Sequence, residues 1–245
     1  RNEFAMISDK YASLLAQLEK VISDYYLEQQ KKKEAQIRAL EFQINPHFLY
    51  NTLSTIVWMI EADEPRTAIQ ITKELSQFFR ISISKGRESI SIREEITHVE
   101  LYINIQKARY TDRILVTFDV PEQLMNYYTP KLILQPLVEN SIVHAMKTRS
   151  DRKFRIAIRA YCDGDDVVME VRDNGETATP ETLDAMNEFL YHRDAAGAKG
   201  EYGIGISNVH DRVQMCFGPG YGLKYAREGG ETVASIRIKA MLGEE

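Results

Sequence analysis

At 245 residues the chain has room for one large domain or two modest ones. Its 44% hydrophobic and 27% charged residues suit a globular protein with solvated helices, and a net charge of −5 gives no footing for nucleic acid or an anionic membrane surface. Cys162 and Cys216 are spaced neither as a zinc site nor as a redox pair, which points to buried or idle thiols in a reducing compartment, and no apolar run is long enough to span a bilayer.

The chain opens at Arg1 in mid-helical pattern without a signal peptide, and so reads as a piece of something longer. Phe4, Ile7, Tyr11, Leu14, Leu18, Val21 and Tyr25 step by three then four, an a/d seam that predicts a coiled coil. A single amphipathic helix docked on a globular body is the alternative. The seam lapses over the polar stretch 28–36, where Lys31, Lys32 and Lys33 form a solvated helix face.

Residues 37–60 contain the run Gln43 to Leu53, QINPHFLYNTL. At about 100° per residue, Phe42, Leu49, Leu53, Ile56 and Ile60 share one stripe and His47 faces the other way, outward. An outward histidine is by itself an ordinary surface residue, but Asn51 stands four positions on along the same face. Pro46, inside the helical pattern, removes a backbone hydrogen bond at a cost of about 3 kcal/mol. Ile37, Leu40 and Ile44 ahead of it lie on the His47 side, so the apolar stripe changes face across the proline and a kink there is expected. A second amphipathic helix is predicted from Pro65 to Lys85, carrying Ile69, Leu75, Phe78, Phe79 and Ile83. A hairpin of this size buries little alone, and pairing with a twin into a four-helix bundle is the natural solution.

From Ile90 the character changes to α+β. A helix from Arg93 to Tyr110 enters through a capping box, Ser91 with Glu94. Strands are predicted at Ile114–Val120, Phe154–Tyr161, Val167–Val171, Leu223–Tyr225 and Val233–Ile238, with hairpin turns at Asp163-Gly164-Asp165 and Gly229-Gly230. Helices are predicted at Pro130–Met146, Pro180–Tyr191 and Ser207–Phe217. Hairpin-joined strands with helices in separate runs indicate a sandwich, not a doubly wound parallel sheet.

Four clusters in this half could carry chemistry. In Gln135 to His144, the polar Glu139, Asn140 and His144 interrupt an apolar helix, and Asn140 offers a neutral oxygen suited to Mg²⁺. Asp173-Asn174-Gly175 ends a strand, where a carboxylate could accept from an exocyclic amine, although an ordinary turn explains it equally well. Gly203 and Gly205 open a helix, where backbone N–H groups can approach phosphate oxygens. Thr232 follows the Gly229-Gly230 turn and is the weakest of the four. The tract Ala195 to Gly200 has the composition of a mobile lid or of a plain loop.

In this order the clusters resemble the sensor histidine kinases of the LytS/YesM type over essentially the whole chain. Gln43 to Leu53 is similar to that family's H-box, and Gln135 to His144 to its N-box. Asp173-Asn174-Gly175 resembles the G1 box and Gly203 to Ile206 the G2 box of the wider GHKL ATPases, while residues 1 to about 25 resemble the second helix of a HAMP relay. The resemblance implies a HAMP-like coiled coil at 1–35, a dimerisation and phosphotransfer hairpin at 36–88, and a Bergerat-type ATP-binding sandwich at 89–245.

It also implies a homodimer, anchored to a membrane upstream of this segment and lying on its cytoplasmic side, that uses ATP and Mg²⁺. His47 would be the phosphoacceptor, and the phosphoryl group would pass to an aspartate of a response regulator. Asn140 would hold Mg²⁺, Asp173 would bind the adenine amine, Gly175 would belong to the nucleotide site, Gly203 and Gly205 would cradle phosphate, and His144 and Thr232 would line the pocket. Glu139 is the candidate for assisting proton removal, since Phe48 stands where many histidine kinases carry an acid. Asn51 occupies the position associated with regulator dephosphorylation. Two departures fall near the nucleotide: Thr177 in place of the second G1 glycine, and Ala145 where the N-box histidine is commonly followed by Gly. A relay working by dimerisation alone, and an ATPase using Glu139 to activate water, are the rival readings.

Overall fold

The computed structural model describes Lys20 and residues 46–83, 87–110, 114–146, 153–175, 178–191 and 204–242, with the side chains at 110, 144–146 and 204 outside that description. The predicted coiled coil, the kink at Pro46 (which turns on residues 37–45) and the lid-like tract 195–200 therefore lie outside the described residues. The chain divides into two compact units, Arg1–Tyr50 and Asn51–Glu245. No helix among the described residues is long and apolar enough to cross a membrane.

Helix α1 spans Pro46–Glu61 and α2 spans Pro65–Ser82. Between them Asp63 takes φ 60, and the Glu64 N–H donates to the Met59 carbonyl at 2.8 Å. The apolar stripe expected on α1 is not what this chain buries. Leu53 and Ile60 are exposed, whereas Phe48, Thr52, Thr55 and Met59 are buried. Threonine tolerates that position because its hydroxyl can be satisfied within the helix: Thr55 Oγ1 donates to the Asn51 carbonyl at 2.9 Å.

Strand β1 (Ser89–Ser91) leads into α3 (Ile92–Tyr110). The predicted capping box forms, with the Ser91 N–H donating to Glu94 Oε2 at 3.1 Å and the Glu94 N–H donating to Ser91 Oγ at 3.2 Å. Helix α2 packs on α3 through Phe78, whose ring stacks on His98 with centroids 4.2 Å apart.

The remaining elements are β2 (Ile114–Asp119), a 3₁₀ turn (Glu122–Leu124), β3 (Tyr128–Pro130), α4 (Gln135–Met146), β4 (Phe154–Asp163), β5 (Asp166–Asp173), α5 (Pro180–Tyr191), α6 (Ile204–Phe217), β6 (Gly222–Glu228) and β7 (Glu231–Lys239). β1 and β3 pair antiparallel, and the main sheet runs β2-β4-β5-β7-β6, with β2 parallel to β4 and the other neighbours antiparallel. All five predicted strands appear, most of them longer by a residue or two at their ends. Both predicted turns appear as well, with Gly164, Gly229 and Gly230 at positive φ where a side chain would be strained.

Strand register stacks the inward side chains into rows that cross the sheet. One buried row is Ala160–Met169–Ile236–Leu223 and the next is Ile158–Val171–Ala234–Tyr225. Helices α4, α5 and α6 cover this face, α4 over β4 and β5, α5 and α6 over β6. The third row, Ile156–Asp173–Thr232–Arg227, turns polar.

One predicted helix is corrected. Residues 130–134 are not the first turn of the helix expected from Pro130; they form the end of β3 and a loop with Leu132 at φ 58. Glu95, fully buried on α3, explains the difference. Its carboxylate accepts from the backbone N–H groups of Leu132, Ile133 and Leu134 at 2.8, 2.7 and 2.8 Å. Those three donors are taken by a tertiary contact, and α4 starts only afterwards, at Gln135 with Pro136 in its first turn. The cysteines are exposed and unbonded, not buried.

Candidate functional site

Asp173 sits where the apolar rows give way, at the last residue of β5, and is 8% exposed. Ser141 Oγ, from α4, donates to its Oδ2 at 2.8 Å, and the Gly175 N–H donates to Oδ1 at 2.9 Å. Burial pushes the Asp173 carboxyl above the ordinary range, against the pull of Ser141, the Gly175 N–H and the Arg227 guanidinium. A carboxylate offers about four acceptor directions, so two donors leave capacity for the N–H groups of a ligand. That donor set fits an exocyclic amine.

Thr232 is the register partner of Asp173 on β7, and Arg227 the partner of Thr232 on β6. One guanidinium nitrogen, Arg227 Nη1, donates to Thr232 Oγ1 at 2.8 Å and to the Gly175 carbonyl at 2.7 Å. The turn after β5 is thereby tied to the hairpin of β6 and β7. Asn174 adds a second tie: its Oδ1 accepts from the Arg155 N–H at 2.8 Å. Tyr225, one row inward from Arg227, is 4% exposed, and its hydroxyl has no hydrogen-bond partner among the described residues. Burial and the neighbouring Asp173 charge push that phenol well above its ordinary value.

Helix α4 supplies Glu139 and Asn140, both half-buried, beside the buried Ser141. The His144 side chain and Gly203 lie outside the described residues. Gly205 falls inside the first turn of α6, because that helix begins at Ile204 and not at the predicted Ser207. A side chain added at Gly205 would meet the Pro136 ring at 3.9 Å, so the start of α6 lies close to the start of α4. Among the described residues no group of three or more His, Cys, Asp or Glu side chains could hold a metal ion. A cation here would take most of its ligands from phosphate and water, with Asn140 able to add one oxygen. His47, on the first turn of α1, is exposed, as the helical spacing predicted, and Asn51 is half-buried.

Residues 35–114 match the family described as histidine kinase, and residues 128–241 match the histidine kinase-, DNA gyrase B- and HSP90-like ATPases. The chain belongs to the histidine kinases. Among curated relatives, the sensor histidine kinase YesM of Bacillus subtilis is 30% identical over 93% of this chain and 37% of its own length. The sensor histidine kinase BtsS of Escherichia coli is 34% identical over 80% of this chain and 31% of its own. The sensor protein LytS of Staphylococcus saprophyticus is 33% identical over 76% and 30%. The chain spans about a third of the length of these relatives.

This histidine kinase core thus carries His47 within the first matched region and the Asp173 cluster within the second, a region of ATPase type. The structure joins Asp173, Gly175 and Thr232 into one cluster, and Ser141 links α4 to it. Three contributors escaped the sequence reading. Ser141 was hidden inside a motif read for its more polar neighbours. Arg227, next to a glycine turn, has the look of a solvated edge-strand cation. Glu95 is one of several acids in the first turns of α3 and nothing local marks it as buried.

Proposed function

We propose that this chain binds ATP at the Asp173 cluster, becomes phosphorylated on His47, and passes the phosphoryl group to an aspartate of a response regulator. The observation that carries the reading is the buried Asp173 carboxylate, held by Ser141 and the Gly175 N–H at the edge of an apolar layer, with acceptor capacity left for a base amine. Asp173, Gly175 and Thr232 read the adenine. Gly203, one residue before α6 in the sequence, and Gly205, in its first turn, receive phosphate oxygens on backbone N–H groups. Asn140 contributes an oxygen to Mg²⁺, and His144 lines the pocket. ATP when bound supplies the phosphoryl group. The chain positions it and neutralises charge, the main demands of phosphoryl transfer.

His47 is suited to its part because a neutral imidazole is a competent nucleophile near pH 7. Glu139 assists removal of its proton, and Asn51 orients water when the regulator is dephosphorylated. The domains are read as 1–35, 36–88 and 89–245, working as a homodimer on the cytoplasmic side of a membrane receptor.

Incubation with γ-labelled ATP and Mg²⁺ tests this directly. The expected result is acid-labile, base-stable label on the parent chain and none on His47→Gln. In the same assay Asn51→Ala takes up label like the parent and slows the loss of label from a regulator. Free phosphate without phosphoprotein would instead mean a simple ATPase, and ATP binding without either product a relay.

A further inference from the structure

We propose that Arg227 is a positioning residue for base selection: by donating to Thr232 Oγ1 it turns the Thr232 hydroxyl into a hydrogen-bond donor beside the Asp173 acceptor, and that acceptor–donor pair selects adenine over guanine. This rests on the nucleotide reading given above.

The geometry is a three-residue row on adjacent strands. Asp173, Thr232 and Arg227 are register partners across β5, β7 and β6, with their side chains on the helix-covered face. Arginine has donors only. Its Nη1, 2.8 Å from Thr232 Oγ1, therefore occupies a lone pair of that oxygen. The same nitrogen is anchored 2.7 Å from the Gly175 carbonyl, so the guanidinium cannot swing away without releasing the turn after β5. A hydroxyl that accepts a charge-assisted bond is polarised to donate its own hydrogen more strongly. That hydrogen has no acceptor among the described residues and is available to a ligand.

The row thus presents an acceptor, Asp173, next to a donor, Thr232. Adenine shows the complementary edge: N6 amine hydrogens beside the N1 lone pair. Guanine shows the reverse, an O6 lone pair beside N1–H, which would set oxygen against the Asp173 carboxylate and a hydrogen against the Thr232 hydrogen. A site built from buried polar groups rejects the mismatched edge because its own groups are left unpaired. With one of its two lone pairs taken by Arg227, the Thr232 hydroxyl favours turning its polarised hydrogen to the ligand; without Arg227 both lone pairs are open to N1–H and the preference for adenine weakens.

The test is titration calorimetry of the 245-residue chain with ADP and GDP in Mg²⁺, ligands that bind without phosphorylating His47. Arg227→Met is expected to reduce the ADP-over-GDP preference by about tenfold, and Arg227→Lys, which keeps a donor, to retain most of it. Thr232→Val should lose the same preference. The double variant should lose no more than either single change, because the two act as one unit. Equal weakening of both nucleotides by Arg227→Met, or additive losses in the double variant, would overturn the inference and leave Arg227 as a brace for the turn. If Arg227→Met does not fold, Thr232→Val decides alone: an unchanged preference overturns the proposal. Asp173→Asn separates the two levels. ADP binding that survives this change at full strength removes the nucleotide reading and the inference together. Binding that is lost there, with the preference intact in Arg227→Met, removes only the inference.

Discussion

Ser82 Oγ donates to the Phe78 carbonyl at 2.9 Å, so its one hydrogen is committed. Its 2.8 Å contact with His98 must then run the other way, from Nε2–H of the imidazole to Ser82 Oγ. That fixes the tautomer and leaves His98 Nδ1 bare and buried, without a hydrogen-bond partner among the described residues. Burial, with the Lys131 ammonium nearby, drives the His98 pKa down from 6.5 to about 3. Its neighbours among the described residues include Phe78 and Ser82 on α2 and Lys131 in the loop after β3. The unfolded chain takes up this proton at 6.5 and the folded chain only near 3, so the contribution is complete above pH 6.5 and is lost as pH falls through that window. The full loss is on the order of 5 kcal/mol. Glu95 and Asp173, both pushed upward by burial, act in the opposite sense, so the comparison is with a variant. Denaturant melts from pH 7 to 4 should show a flatter acid limb in His98→Gln than in the parent. Parallel limbs would mean that His98 is not titrating as the buried contact requires.

The loop from Lys131 to Leu134 connects the small β1–β3 pair to the helix carrying Asn140 and Ser141. Three of its N–H groups rest on Glu95, and the Lys131 ammonium donates back to the Ser82 carbonyl at the end of α2, while Arg212 of α6 donates to the Lys131 carbonyl. The end of α2 and the glycine-led α6 therefore both bond Lys131, the first residue of a loop that rests on the buried Glu95 carboxylate and leads into α4. Glu95→Gln keeps the shape but turns an acceptor oxygen into an NH₂ facing N–H donors, and should lower stability by about 2–4 kcal/mol. Hydrogen exchange should quicken first at Leu132 to Leu134 and the start of α4. An unchanged melting midpoint would show that the loop holds itself. What was legible here divides by sequence distance. The Ser91–Glu94 capping box was readable because both partners lie within one helical turn. The start of α4 was not, because the group that decides it lies 37 to 39 positions earlier and is recognisable only once folded. Arg227 was missed for the same reason: its partners are Gly175, 52 positions away, and Thr232 across a turn.

Across the whole molecule the alternating or β-branched runs were strong enough to place all five strands of the main sheet, including β5, which is buried at nearly every position, and β2, which is largely exposed. Strand order and the polar end of the inner rows come from pairing between distant segments, which no local period encodes. The hairpin shows the converse. The stripe Leu49, Leu53, Ile56 and Ile60 was read correctly as apolar, yet in a single chain Leu53 and Ile60 stay 47% and 59% exposed, with Val57 and Trp58 at 54% and 57% beside them. Ile56 and Ile60 also line a groove of about 410 Å³ with Ala68 and Ile69 from α2. A patch of this kind on a helix pair is what a second copy would cover. Burying one such side chain is worth roughly 1.5–3 kcal/mol. A charge at Leu53 or Ile60 removes that gain on both protomers and adds a buried unpaired carboxylate. Sedimentation equilibrium should therefore report a dimer for the parent chain and a monomer for Leu53→Glu and Ile60→Glu, a shift in dissociation constant of more than about a hundredfold. Both variants should keep ADP binding, because the Asp173 cluster is built from α4 and the sheet and uses neither residue. A parent chain that sediments as a monomer, or glutamate variants that remain dimeric, would assign this face to something other than self-association.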